Sequence, residues 1–145
     1  MAEITENYVS FEIAKLLREK GFDGFCNRYY QTDKEDVNGE HAMFMFASDL
    51  KSFCTVTNSL LNKYADKNHE IISAPTFQMA MKWLREVYGI YPDIAIEEID
   101  DNTIFFRVDG IYLKQKKMWD KYNNLFKTYE QACEAAIKYC LENLI

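Results

Sequence analysis

The chain has 145 residues, of which 48% are hydrophobic and 15% aromatic, so it can bury a sizeable core without help from disulfides or metals. Its formal net charge of −6 disfavours binding to nucleic acids and to anionic membranes. Neither a basic leader with an apolar run nor a stretch of about 18 apolar residues occurs, which predicts a cytoplasmic protein without a membrane partner.

The N-terminal part predicts a helix followed by a β-hairpin. Ser10 is a typical N-cap, apolar residues follow it at helical spacing, and Gly21 stops the helix, which gives a helix over 10–20. Residues 25–31 and 41–46 are rich in aromatic side chains and flank a polar loop, a pattern typical of the two strands of a hairpin.

Residues 48–65 leave two interpretations open. Their apolar residues recur at helical spacing, which favours a helix that begins at Ser48 or Asp49. The run FCTVT at 53–57, however, has high β propensity. Residues 70–72, which follow a polar run, can form a short strand.

A second clear helix is predicted over 74–88. Ser73 or Ala74 caps it, and Pro75 lies in the first turn, where its missing N–H costs little. A wide apolar face follows, and Gly89 stops the helix.

Residues 93–117 predict a β-meander, because apolar and polar residues alternate along them. Asp109 and Gly110 are a strong signal for a two-residue turn of type I′. After such a turn the apolar side chains of both strands should face the core, namely Ile104, Phe106, Val108, Ile111 and Leu113.

Thr128 and Gln131 have the spacing of a capping box and begin a last helix over 128–144. These elements predict an α+β fold in a single domain, 1–145. Its antiparallel sheet consists of the β-meander 93–117 and the N-terminal hairpin, and it is covered on one face by helices, including 10–20, 74–88 and 128–144.

Three segments carry a family resemblance: YVSFEIAKLLREKGF at 8–22, IISAPTFQMAMKWLREVY at 71–88 and TYEQACEAAIKYCLENLI at 128–145. They resemble a group of short uncharacterised proteins encoded by gut-bacterial genomes and by their phages and mobile elements. The resemblance implies a plan of capped helices and a bacterial host, and it supplies no site residues. Residues 41–70 are longer than this group leads us to expect.

No motif for catalysis, metal binding or a cofactor is present. The two histidines, His41 and His69, and the scattered glycines lack the spacing of a zinc site or a phosphate-binding loop. The four cysteines should be reduced, mostly buried thiols; they are Cys26, Cys54, Cys133 and Cys140.

One acidic cluster is the best candidate for carboxylate chemistry. Paired carboxylates can bind a divalent cation or serve as acid and base, but such a run is more often a solvated face. The cluster comprises Asp93, Glu97, Glu98, Asp100 and Asp101.

A small basic and aromatic patch is the candidate partner-binding site. It comprises Tyr112, Lys114, Lys116, Lys117 and Trp119. This composition is typical of protein interfaces and of single-stranded nucleic-acid surfaces, and lysines also protect edge strands. Trp119 either anchors a partner or closes the end of the core.

The leading hypothesis is therefore a non-enzymatic accessory protein of a phage or mobile element that binds another protein. The alternative is a nucleic-acid-linked regulator that uses the basic patch. An enzyme with an unfamiliar carboxylate site is the least favoured hypothesis.

Overall fold

A computed structural model describes residues 7–114, 116–119 and 125–145, with only the backbone of 117–119. The fold is α+β with antiparallel sheets, which confirms the predicted class. The strands form two three-stranded sheets where one sheet was predicted. By its internal contacts the chain divides into two compact units, Met1–Thr76 and Phe77–Ile145.

The first unit is a three-stranded sheet with helices beside it. Its elements are α1 (Phe11–Glu19), β1 (Arg28–Asp33), β2 (Met43–Phe46), a 3-10 turn (Ala47–Asp49), α2 (Asn58–Asn62) and β3 (His69–Ser73). The strand order is β2-β1-β3, with both pairs antiparallel. The predicted hairpin and short strand are thus present, and β3 pairs with β1.

Helix α1 begins as its sequence predicts. The Ser10 hydroxyl accepts the Ile13 N–H, and Gly21 after the helix has a positive φ of 94°. Its buried face includes Phe11, Ile13 and Leu17. Arg18 in its last turn forms an ion pair with Glu70 of β3, which attaches the helix to the sheet.

The predicted helix over 48–65 is wrong except at 58–62. Lys51 and Ser52 both have positive φ, 49° and 61°, which no helix accommodates. Val56 exchanges two backbone hydrogen bonds with Cys26, at 2.7 and 2.8 Å, so the β propensity of this run prevails. The apolar side chains of residues 48–65 still pack into a core around Tyr29; they include Leu50, Phe53, Leu60, Leu61 and Tyr64.

The second unit is a long antiparallel meander with two helices. Its elements are α3 (Phe77–Trp83), which continues as a π-helical turn (Leu84–Tyr88), β4 (Ile90–Asp100), β5 (Thr103–Leu113), β6 (Lys116–Trp119) and α4 (Tyr129–Asn143). The strand order is β4-β5-β6. The buried face of α4 is rich in small and apolar residues and includes Ala136, Ile137 and Leu141.

Helix boundaries in this unit agree with the sequence except at the start of α3. Gly89 ends the π-helical turn at a φ of 67°, and the Thr128 hydroxyl accepts the Gln131 N–H at 3.1 Å. The second helix was predicted from 74 but begins at Phe77, because Ser73 still belongs to β3 and the Pro75 carbonyl accepts the Val9 N–H.

The predicted turn at Asp109-Gly110 is also wrong. β5 continues through both residues, and Gly110 lacks the positive φ that a type I′ turn requires. The chain reverses instead at Asp101 and Asn102, where the Asp100 carboxylate accepts the Asn102 N–H at 2.9 Å. Among the described residues, no helix is long and apolar enough to cross a membrane.

Candidate protein-interaction surface

The predicted basic and aromatic patch lies on β5 and β6. Register places Tyr112 opposite Lys117 and Leu113 opposite Lys116. Tyr112 is half-buried, whereas Lys114 and Lys116 are exposed. The side chains of Lys117 and Trp119 lie outside the described residues, so the prediction for Trp119 stays a prediction.

The β4–β5 hairpin carries a larger surface feature, of which the sequence analysis placed one residue, Ile104, in the core. Three isoleucines at its turn end are mostly exposed: Ile96 by 68%, Ile104 by 57% and Ile99 by 55%. The prediction that Ile104 faces the core is therefore wrong. Ile99 lies where the register shifts between Glu98 and Asp100, so it has no partner directly opposite on β5.

Two of the exposed isoleucines, Ile96 and Ile104, continue a face of the hairpin that is covered elsewhere. Register places Ile96 opposite Phe106 and Glu98 opposite Ile104, so these four side chains share one face of the hairpin. On the same face Phe106 meets the ring of Tyr129, the first residue of α4, edge-on at 6.0 Å. Nearer the other end Val108 and Ile111 are buried, as predicted. Helix α4 thus leaves the turn end of this face open.

The predicted acidic cluster surrounds these isoleucines. Six carboxylates and one arginine lie between residues 93 and 109. The arginine, Arg107, contacts Glu97 and Asp109 at 3.0 Å each, while its Nε is buried without a partner. Because Arg107 offsets only one of the six carboxylates, this stretch of the hairpin carries five surplus negative charges. Hydrogen bonds from the Asn102 amide and the Thr103 hydroxyl hold the pKa of Asp100 below its usual value.

The carboxylates do not assemble into a metal site. Within the described residues, no group of three or more His, Cys, Asp or Glu side chains could hold a metal ion. The acidic residues are instead distributed along both strands of the hairpin and its turn. Their arrangement suits long-range attraction of a positively charged partner.

Outside the hairpin, His69 of the first unit lies between two carboxylates. The Nδ1 of His69 lies 2.9 Å from the Asp66 carboxylate and its Nε2 3.4 Å from Asp33, so both ring nitrogens face acidic groups. Next to this pair lies a pocket of about 250 Å³ lined by Asp33, Lys34, Glu35, Lys67 and Asn68. Its two lysines and two carboxylates balance, so the pocket favours no ligand charge.

The cysteines divide into one exposed and three buried residues. Cys26, Cys133 and Cys140 are buried and Cys54 is exposed, which agrees with the prediction of mostly buried thiols. Burial raises the pKa of the Cys26 thiol to about 11 and that of Cys140 to about 12, and it also raises the pKa of Cys133. Such thiols are protonated at neutral pH and make poor nucleophiles.

Comparison with protein-family models, curated proteins and solved structures yields no match to this chain.

Sequence reasoning found the acidic residues but not the surface they surround. The signal was present: between 93 and 101 isoleucines alternate with carboxylates so densely that burying that stretch would bury charge. The sequence did not show which part of the sheet a helix covers, because only the fold shows that α4 begins beside Phe106.

Proposed function

We propose that this chain is a non-enzymatic protein-binding module whose partner docks on the turn end of the β4–β5 hairpin. Combined with the family resemblance of the three helical segments, this makes it an accessory protein of a phage or mobile element in the cytoplasm of a bacterial host. The binding role rests on one structural observation, the exposed isoleucines Ile96, Ile99 and Ile104 in an acidic surround.

The exposure of these isoleucines to water requires an explanation. Surface apolar residues are common singly, but a contiguous group bordered by charged residues is typical of a binding site. Two of the three, Ile96 and Ile104, lie on the same face of the hairpin. A partner that covers this face would bury isoleucine side chains, each worth roughly 1.5–3 kcal/mol when fully removed from water.

The charge of the hairpin specifies the partner further. Glu97 and Asp109 pair with Arg107, whereas the described residues include no ion pair to the other four carboxylates, Asp93, Glu98, Asp100 and Asp101. A partner segment with lysine or arginine beside apolar residues would complement this surface, and opposite charges would also speed its association. The occupant is therefore a basic, apolar protein segment.

A lysine at position 104 tests the proposal. Ile104→Lys removes an exposed apolar side chain and adds a positive charge that repels a basic partner, so it should abolish binding while leaving the fold intact. Val37→Lys is the matched control, because Val37 is also exposed, by 63%, but lies in the first unit. Immobilised wild type and both variants would be exposed to a gut-bacterial lysate and the retained proteins quantified by mass spectrometry.

The expected result is a set of basic proteins retained by wild type and Val37→Lys but lost with Ile104→Lys. Equal retention by all three proteins would refute the hairpin as the docking surface.

A further inference from the structure

The hydrogen bonds of β5 reveal which backbone groups of β4 face outward. Phe106 exchanges two backbone hydrogen bonds with Phe126, at 2.7 and 2.8 Å, on the side of β5 away from β4. Phe106 and its opposite residue Ile96 therefore form a non-hydrogen-bonded pair of the antiparallel ladder. Since this pattern alternates, Ile94, Ile96 and Glu98 all direct their N–H and C=O groups away from β5.

These outward groups lie on an open edge. β4 is the terminal strand of its sheet, and in the described parts of the chain no strand or isolated bridge pairs with its outer side. The register is regular from Ile94 to Glu98, between shifts at either end. Three residues thus present six backbone groups at the spacing of a strand.

The corresponding edge of the other sheet is closed by its own side chains. The Ala47 N–H donates to the carbonyl of Asn27, its opposite residue when the β1–β2 register is continued. Because hydrogen-bonded and non-hydrogen-bonded pairs alternate along the ladder, Phe44 and Phe46 direct their backbone groups outward. There the Arg28 guanidinium donates to the Phe44 carbonyl at 3.2 Å, and the Asp49 carboxylate accepts the Phe46 N–H at 2.9 Å. Such blocking protects edge strands from pairing. Within the part of the chain that the structure describes, no side-chain hydrogen bond reaches the backbone of Ile94, Ile96 or Glu98 on β4.

We infer that β4 binds its partner by strand addition: a basic, extended segment pairs with the backbone of Ile94–Glu98 as a fourth strand of the sheet. This inference rests on the proposed function and adds the binding mode and the conformation of the ligand. Main-chain hydrogen bonds supply the affinity in this mode, and alternate side chains supply the specificity. One face of the added strand would place apolar side chains beside Ile94 and Ile96, and its lysines or arginines would meet the carboxylates.

Charge selects this occupant over a second copy of the chain. Pairing of β4 with β4 would bring together two hairpins that each carry six carboxylates and one arginine. Like charges on adjacent strands repel each other, which disfavours this pairing. A cationic strand meets no such repulsion.

The test uses a probe peptide and an edge variant. The probe is a fluorescent heptapeptide of alternating lysine and valine with blocked ends, and binding is read by fluorescence anisotropy. Ile96→Pro removes an outward N–H that β5 does not use, so the sheet should survive while strand addition is blocked. Ile96→Thr is the matched control, since threonine keeps the N–H and the β propensity.

Strand addition predicts saturable binding to wild type, with affinity reduced roughly tenfold or more by Ile96→Pro and by less than about threefold by Ile96→Thr. The same peptide methylated on every internal backbone nitrogen, so that both of its edges are blocked, should fail to bind wild type, a result that does not depend on any variant folding. Equal binding of the methylated peptide would overturn the inference, because charge alone would then explain the association. Dimerisation of the free protein through β4 in sedimentation experiments would overturn it as well.

The two proposals fail in different ways. If a partner retained from the lysate is lost with Ile104→Lys but kept with Ile96→Pro, the hairpin surface binds proteins by its face and strand addition is wrong. If neither substitution affects retention, the proposed function is wrong.

Discussion

The side chain of Asn58 connects two distant segments of the first unit. It is buried, and its amide nitrogen donates to the Phe22 carbonyl at 2.8 Å while its amide oxygen accepts the Ser73 N–H at 2.9 Å. One side chain thus joins the segment after α1 to the end of β3.

Asn58→Ala should therefore lower the free energy of unfolding by about 2–4 kcal/mol, because two buried backbone groups lose their partners. Urea unfolding followed by circular dichroism measures the change. Asn62→Ala, an exposed position at the end of the same helix, is the control and should change stability by less than about 0.5 kcal/mol. Near-equal effects of the two substitutions would contradict the role given to Asn58.

The cysteines provide a second test at the residue scale. Cys54 is exposed and the other three are buried, so Ellman's reagent should titrate one thiol rapidly in the native protein and four after denaturation. Cys54→Ser should remove the rapid reaction. Rapid native reaction of Cys140, whose pKa burial raises to about 12, would show that α4 is not packed as described.

At the scale of elements, the loop between β1 and β2 is organised by a single carboxylate. Asp36 accepts hydrogen bonds from the Thr32 hydroxyl at 2.6 Å and from the Glu40 and His41 amides at 2.9 Å each. Gly39 in the same loop lies directly against Phe11 of α1, where a Cβ would clash with the ring. The loop is therefore attached to β1 through Asp36 and packed against α1 at Gly39.

This carboxylate predicts a pH dependence. The hydrogen bond from Thr32, followed by those from His41 and Glu40, holds the pKa of Asp36 below its ordinary value of 3.8. Because the folded-state pKa is the lower one, the stabilisation is present above about pH 3.8 and is lost as the pH falls through the folded-state pKa. Asp36→Asn should lack this contribution, so the difference in unfolding midpoint between wild type and variant should shrink below about pH 4. A difference that stays constant down to pH 2 would contradict the assignment.

Long-range pairing explains why Asp109-Gly110 misled the sequence analysis. The register shift between Asp93 and Ile94 leaves Asp109 without a residue opposite, so it forms a bulge within β5. Its carboxylate pairs with Arg107, and a Cβ on Gly110 would lie 2.9 Å from the Tyr112 ring. The glycine is thus explained by close packing in a strand, which sequence alone does not distinguish from a turn.

For the whole molecule, two helix caps were predictable from local sequence, whereas features that depend on contacts between distant segments were not. Ser10 and Thr128 cap their helices as predicted, because a cap depends only on residues three positions away. The Cys26–Val56 bridge and the exposure of Ile104 depend on contacts between distant segments. The α+β class was therefore predictable, whereas the division into two sheets and the candidate surface were not. That the chain is a single domain remains a prediction.

The central claim is that β4 keeps an open edge for a partner strand. Amide hydrogen exchange of the free protein, resolved by residue with NMR, tests it most directly. The amides of Ala95 and Glu97, which point towards β5, should exchange slowly, while those of Ile94, Ile96 and Glu98 should exchange at least tenfold faster, in strict alternation along the strand. Uniform protection from Ile94 to Glu98 would show that the outer edge is already occupied and would contradict the account.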